Sequence, residues 1–162
     1  EVDQYFEKLG VRRANRDRVR VVLEEMLMNA IYDAPVDKDG KSLYNHMPRT
    51  VELMLKPEEQ GTVRWATDGM LIAVSVQDPF GSLKGSVILK YLESNYAGEV
   101  QDMNAKEGKG GAGRGLHQIV ENSDLVVFNV EPGKKTEAIA LFNVEVKEKA
   151  NQNPSFHLFV KS

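Results

Sequence analysis

Glu25, Asn29 and Asp33 recur at every fourth position of one predicted helix. Four residues advance a helix by about 400°, so these side chains form a slowly turning column with about 6 Å between neighbours. The column follows the edge of the helix's apolar stripe, and Asp33 falls inside that stripe. Burying unpaired carboxylates and amides costs several kcal/mol, so the column needs partners, and a bound ion with a polyanionic ligand would supply them. A polar rim of an ordinary helix is the alternative interpretation.

Asp78 ends an apolar, strand-like run and is followed by Pro79, Phe80 and Gly81. A carboxylate that ends a strand and faces a cleft can accept a hydrogen bond from an exocyclic amine. The same residues also suit a turn in which the aspartate bonds its own backbone. The local sequence therefore leaves open whether Asp78 recognises a ligand or only forms a turn.

The segment 108–116 is rich in glycine, which occupies five of the eight positions from Gly108 to Gly115. Glycine lets backbone amides approach a ligand closely, and a phosphate at a helix N-terminus is the natural candidate, with Lys109 and Arg114 adding positive charge. The spacing formally matches a dinucleotide-binding fingerprint, but no strand precedes it, and a P-loop would need a glycine and lysine followed by serine or threonine. A flexible linker is the alternative interpretation.

The elements that must position these residues follow from apolar spacing. Helices are predicted over 2–9, 16–34, 82–96 and 113–122, and strands over 50–55, 62–67, 70–77, 124–130 and 136–146, with a short last strand over 156–160. Asp68-Gly69 predicts a two-residue hairpin between the second and third strands. Hairpins without regular βαβ alternation indicate an α+β fold, a two-layer sandwich whose mixed, mostly antiparallel sheet is covered by helices on one face.

Composition excludes several classes of protein. The chain has 162 residues, with 24 acidic against 21 basic side chains and no cysteine. A net charge of −3 argues against binding nucleic acid through bulk charge, and the lack of cysteine rules out disulfides and thiolate metal sites. No signal-peptide pattern or membrane-length apolar run is present, so we expect a cytoplasmic domain. Because Glu1 opens directly in helix-like sequence, we expect a single domain over 1–162 that is truncated at its N-terminus or excised from a longer protein.

In this order, the three segments resemble the N, G1 and G2 boxes of the GHKL ATPase superfamily, which includes gyrase, Hsp90, histidine kinases and MutL. The residues that carry the resemblance are Glu25-x-x-x-Asn29-Ala30, Asp78-x-Phe80-Gly81 and Gly111-x-Gly113-x-Gly115-Leu116. The resemblance spans roughly residues 16 to 146 and implies the Bergerat ATP-binding fold. The short chain and the Glu25-to-Asn29 spacing are most similar to the anti-sigma factor serine kinases.

The resemblance implies ATP and Mg²⁺ as cofactors. Asn29 would hold the metal ion, Glu25 would act as general base on a serine hydroxyl or water, and Asp78 would recognise the adenine amine. The other implied nucleotide contacts are Asp33, Phe80, Gly81, Lys109, Gly111, Gly113, Arg114, Gly115 and Leu116. The implied partner is a protein antagonist or sigma-like regulator, without nucleic acid or membrane contact in this part of the chain, and a homodimer is compatible with it.

Departures from the family pattern leave the activity open. Phe80 and Ser82 replace the two glycines of the usual G1 box, and Tyr32 stands where histidine kinases often have a basic residue. Asp33 is similar instead to the Asp-Ala of the ATP-hydrolysing gyrase and MutL group. A serine kinase is therefore weighed against an ATPase, a nucleotide-gated interaction module without catalysis, and the catalytic domain of a histidine kinase.

Overall fold

A computed structural model describes residues 1–96, 112–145 and 155–161. Within these ranges the α-helices are α1 (Val2–Lys8), α2 (Arg13–Met28), α3 (Gly85–Tyr96) and α4 (Ala112–Asn122). The strands are β1 (Thr62–Thr67), β2 (Leu71–Asp78), β3 (Leu125–Glu131), β4 (Lys135–Asn143) and β5 (Ser155–Val160). A π-helix (Asn29–Asp33) continues α2, and a 3-10 turn (Pro57–Glu59) precedes β1. None of the described helices has the length and hydrophobicity that crossing a bilayer requires.

The five strands form one sheet in the order β1-β2-β4-β3-β5. Neighbouring strands are antiparallel except β3 and β5, which run parallel. The predicted α+β class and the mixed, mostly antiparallel sheet are therefore confirmed, and the architecture is compatible with a two-layer sandwich.

The core lies between the helices and one face of the sheet. Successive side chains of a strand point to opposite faces, and in β2 the buried set on the core face is Ile72, Val74, Val76 and Asp78. The apolar members of this set pack with residues of α2 and α4 such as Met26 and Ile119 in a single buried cluster. Because Asp78 continues the same alternation, the strand itself directs this carboxylate toward the helical layer.

The β1–β2 hairpin forms as predicted, but its two-residue loop is shifted by one position. The backbone N–H of Asp68 donates to the carbonyl oxygen of Leu71 at 3.3 Å, so the loop consists of Gly69 and Met70. The Oδ1 atom of Asp68 accepts the N–H groups of Met70 at 2.9 Å and Leu71 at 2.7 Å. Asp68, the residue before the loop, thus stabilises the turn with its side chain. Gly69, the first loop residue, takes the left-handed conformation with φ 95°.

The strand predicted over 50–55 is wrong, because the structure has neither strand nor helix there. The N–H of Val51 donates to the carbonyl oxygen of Pro48 at 3.0 Å, and the hydroxyl of Tyr32 donates to the carbonyl oxygen of Val51 at 2.6 Å. These bonds hold the segment against the π-helix as an irregular chain. Alternating apolar residues are not enough to make a strand when the backbone bonds go elsewhere.

The predicted helix over 16–34 also needs correction. It begins earlier, at Arg13, and its α-helical part ends at Met28, where the π-helix begins. The N–H of Ala34 accordingly donates to the carbonyl oxygen of Asn29, five residues back, at 2.8 Å. Similarly, the helix predicted over 82–96 begins only at Gly85.

Candidate functional site

A cavity of about 250 Å³ opens between the helical layer and the sheet. Three polar residues that the sequence singled out, Asn29, Asp33 and Asp78, contribute to its wall. Most of the remaining wall is apolar and comes from three helices (α2, α3 and α4) and three strands (β2, β3 and β4). Its members include Met26, Val76, Ile88, Leu116, Phe128 and Ala138. Convergent polar groups in a mostly apolar hollow are typical of small-molecule sites.

Asp78 lies at the end of β2 in the cavity wall and is buried. Its Oδ1 atom accepts the backbone N–H groups of Phe80 at 2.9 Å and Gly81 at 3.3 Å, so the aspartate does form a turn. Burial raises the pKa of Asp78 above its ordinary value, whereas these two N–H groups and hydrogen bonding from Thr136 lower it. Both turn bonds are made by Oδ1, so the turn itself does not occupy the second carboxylate oxygen.

The turn after β2 is held rigidly by contacts with two other parts of the chain. Gly81 has φ 61°, and a Cβ atom there would lie 2.1 Å from the carbonyl oxygen of Glu131, at the end of β3. The hydroxyl of Ser82 donates to the carbonyl oxygen of Ala34, at the end of the π-helix, at 2.7 Å. Phe80 and Gly81 belong to this turn but do not line the cavity. Their contribution in this structure is to position Asp78.

The polar column on α2 divides at the π-helix. Asn29 and Asp33 begin and end the π-helix and line the cavity, whereas Glu25 lies one turn earlier on α2 and does not. A π-turn inserts one extra residue per turn, and such turns often occur at functional sites. The sequence thus predicted that the three residues belong together, but the structure gives Glu25 a different environment from the other two.

Arg49 is a site residue that the sequence analysis missed. One guanidinium nitrogen lies 3.4 Å from Oε2 of Glu25, and the other lies 2.8 Å from Oδ2 of Asp33. Burial raises the pKa of Asp33, the charge of Arg49 lowers it, and the charge of Glu25 raises it further. The column's need for partners was the available signal, and a protein cation meets part of that need. Nothing in the spacing of the sequence indicates that an arginine from the 35–61 loop would supply it.

Thr136 is a second residue that the sequence analysis missed. It is buried in the cavity wall and is the direct cross-strand neighbour of Asp78, in the pairing of β2 with β4. Its hydroxyl therefore belongs to the same polar end of the cavity. The pairing depends on strand register, which the predicted strands did not specify.

The glycine-rich segment reaches the polar column through α4. A Cβ atom on Gly115 would lie 2.8 Å from Oε2 of Glu25 and 3.4 Å from Oδ1 of Asn29. This position is part of a helix, so the flexible-linker interpretation does not apply to it. Gly113 also belongs to α4. Lys109, Gly111 and the side chain of Arg114 lie outside the described residues.

The described residues contain no group of three or more histidine, aspartate or glutamate side chains that could hold a metal ion. Mg²⁺, however, is commonly bound by only one or two protein ligands together with substrate phosphates. The amide oxygen of Asn29, at the cavity wall and beside α4, fits that mode of binding. Glu25 and Asp33 are already paired with Arg49. The donor set thus suits a metal ion that arrives with its phosphate ligand.

No family model, curated protein or solved structure matches this chain. The geometry of the site brings Asn29, Asp33, Asp78 and Leu116 into one cavity, and it places Glu25 beside them through its contact with Gly115.

Proposed function

We propose that this chain is a Bergerat-type ATP-binding domain of the GHKL superfamily, acting as an anti-sigma-type serine/threonine protein kinase on a protein antagonist or sigma-like regulator. One observation carries the proposal: Asn29 and Asp78, distant in sequence and taken from different predicted boxes, line the same cavity. Had the two residues faced separate surfaces, a common nucleotide site would have been excluded.

The end of the cavity near Asp78 suits a purine base with an exocyclic amine. The carboxylate of Asp78 is a hydrogen-bond acceptor among apolar walls, where an unmatched donor or acceptor on the ligand would be costly. Ligand pockets usually measure about 300–1,000 Å³. A cavity of about 250 Å³ is therefore expected to enclose the base while the ribose and phosphates extend outward.

The phosphates would then extend toward Asn29 and the beginning of α4. Asn29 would hold the metal ion with its amide oxygen, and the amides at a helix N-terminus favour negative charge. Bound Mg²⁺ would neutralise phosphate charge, and in-line phosphoryl transfer depends mostly on positioning. Glu25, next to both Asn29 and α4, would accept the proton of the attacking serine hydroxyl.

Calorimetric titration with ATP, in the presence and absence of Mg²⁺, tests binding. We expect Asp78→Asn to lose at least about tenfold in affinity, because an amide presents a donor to the base amine where the carboxylate presented an acceptor. Asn29→Ala should abolish the part of the affinity that depends on Mg²⁺. The matched control is Asp68→Asn, since Asp68 also accepts two backbone N–H groups in a turn but lies outside the cavity. Wild-type affinity in both site variants, or no ATP binding by the wild type, would refute the proposal.

Incubation with labelled ATP and candidate antagonist proteins tests the transfer step. Glu25→Gln should keep ATP affinity close to that of the wild type and lose transfer. The absence of transfer to any protein, with intact ATP binding, would refute the kinase assignment while leaving the nucleotide site in place.

A nucleotide-gated interaction module without catalysis is the second candidate. It is favoured by the pairing of Glu25 with Arg49 and by the position of Glu25 outside the cavity lining. In such a module, ATP and ADP would select different partners, and Glu25→Gln would leave that selection unchanged. Partner binding measured with each nucleotide, in the wild type and in this variant, separates the two candidates.

A further inference from the structure

The guanidinium of Arg49 joins two carboxylates that flank Asn29 in the polar column. It lies 3.4 Å from Glu25 and 2.8 Å from Asp33, and only about a quarter of the Arg49 side chain is exposed. Arginine presents donors in a planar, rigid fork, so one side chain can hold two acceptors in a defined relative position. The pair of contacts therefore constrains both carboxylates at once.

The backbone that carries Arg49 is itself anchored to the π-helix. Tyr32, which precedes Asp33, is buried, and its hydroxyl lies 2.6 Å from the carbonyl oxygen of Val51 and 3.2 Å from that of Arg49. The π-helix thus holds the loop segment whose arginine returns to the column. Arg49 is therefore positioned from both its backbone and its side chain, unlike a surface arginine that pairs only through its tip.

Glu25 is confined on two sides through the same oxygen. Its Oε2 atom faces Arg49, and Oε2 is also the atom that a Cβ on Gly115 would meet at 2.8 Å. Because Oε2 is the oxygen that faces Arg49, Oε1 is the oxygen available to accept a proton. The geometry thus distinguishes the two oxygens of one carboxylate.

We propose that Arg49 is a positioning residue: it holds Oε2 of Glu25, so that Oε1 acts as the general base in phosphoryl transfer. This inference rests on the proposed kinase function. In the step, Oε1 takes the proton of the serine hydroxyl while the hydroxyl oxygen bonds to the γ-phosphorus. The bond from the γ-phosphorus to the β–γ bridging oxygen breaks, and ADP leaves with the electron pair. Asp33 acts indirectly, by holding the other arm of Arg49.

Kinetic and binding measurements on Arg49→Ala and Arg49→Lys test this role. Loss of orientation of a general base is expected to lower kcat by about 10- to 100-fold in Arg49→Ala. The Kd for Mg·ATP should change less than about threefold, since Arg49 acts on the base rather than on the nucleotide. Arg49→Lys should recover only part of kcat, because a single ammonium does not span two carboxylates.

The matched control is Arg64→Ala. Arg64 also pairs with a carboxylate, Glu137 at 3.8 Å, but lies on β1 away from the cavity, so kcat and Kd should both stay at wild-type values. The double variant Arg49→Ala with Glu25→Gln should be no slower than Glu25→Gln alone, because a positioned base is needed for Arg49 to matter. A further loss in the double variant would contradict the proposal.

Three further results would overturn the proposal. One is wild-type kcat in Arg49→Ala, with Mg·ATP binding intact in the wild type, which refutes this role alone. A second is a loss of nucleotide affinity in Arg49→Ala, relative to the wild type, that grows from AMP to ADP to ATP. Such a trend would mean that Arg49 contacts the phosphates. The third is an inactive wild type that binds no Mg·ATP, which refutes the proposed function together with this role. If Arg49→Ala fails to fold in circular dichroism, the same kcat-against-Kd comparison in Arg49→Lys decides.

Discussion

Replacing Gly81 by alanine isolates the contact that positions Asp78. Gly81 has φ 61°, and an added Cβ would lie 2.1 Å from the carbonyl oxygen of Glu131 and 2.8 Å from the backbone nitrogen of Lys134. Both neighbours are backbone atoms, one at the end of β3 and one in the turn that follows it, so neither can rotate away as a side chain would. Gly40, in a turn away from Asp78, has φ 75° with nothing within 4 Å of its Cβ position and provides the matched control.

The magnitude follows from separating conformation from overlap. A left-handed conformation costs an alanine about 1–2 kcal/mol, offset by about 0.4–1 kcal/mol from the lower entropy of the unfolded chain. Gly40→Ala should therefore lower the free energy of unfolding by about 0.5–1 kcal/mol. Gly81→Ala adds forced overlap, typically about 1–3 kcal/mol, for a total of about 1.5–4 kcal/mol.

Urea unfolding of both variants beside the wild type measures these free-energy differences, and thermal unfolding measures the change in Tm. At about 2–4 °C per kcal/mol for a chain of this size, we expect Tm to fall by roughly 3–16 °C in Gly81→Ala and by a few degrees in Gly40→Ala. ATP affinity should fall in Gly81→Ala at temperatures where the variant is folded, because the turn that holds Asp78 must shift. Equal destabilisation in the two variants would refute the reasoning, since only the overlap distinguishes them.

Three further predictions address the polar column and Asp78. In Tyr32→Phe, loss of a buried hydroxyl contact should lower the free energy of unfolding by about 1–3 kcal/mol. Amide hydrogen exchange in the loop that carries Arg49 should become faster, and unchanged exchange would contradict the anchoring role of Tyr32. In Asp78→Asn, the amide oxygen can still accept both N–H groups. Because burial raises the pKa of Asp78, the wild-type carboxyl stabilises the fold in acid and loses that advantage as pH rises through the folded pKa. Urea unfolding should therefore show the variant gaining stability relative to the wild type between about pH 3 and pH 7, and a constant difference would be evidence against it. In Gly115→Ala, helix propensity improves by about 1 kcal/mol, so Tm should stay the same or rise. The new Cβ would displace the carboxylate of Glu25, so phosphoryl transfer should fall. Unchanged transfer would show that the close approach of Gly115 to Glu25 is not needed.

The sequence predicted the parts of the site that depend on local periodicity. Asp78 was predicted at the end of an apolar strand, where β2 ends, and helical spacing groups Glu25, Asn29 and Asp33 in one column along α2 and the π-helix. These relations follow from the geometry of a strand and of a helix, without knowledge of what packs against them. They are therefore available from the chain itself.

Relations between distant segments were not available in the same way. The run 50–55 has the composition of a strand, but its observed bonds go to Tyr32 and to a turn at Pro48. Arg49 reaches the column only because that same segment folds back onto the π-helix. The π-helix itself is one inserted residue in a helical pattern, and the apolar period does not reveal it. Each of these features depends on tertiary contacts.

Two glycines at the site permit close approach of one backbone to another group, which is different from chain flexibility. At Gly81 the neighbour is the β3–β4 turn, and at Gly115 it is the carboxylate of Glu25, whereas Gly40 has nothing near its Cβ position and serves only its turn. Gly81 and Gly115 therefore set the distance between two elements, because an added side chain would remove the close contact. The two approaches act on opposite ends of the candidate site, one behind Asp78 and one beside Glu25. Their separate disruption should therefore separate base recognition from phosphoryl transfer, which a flexible hinge would not do.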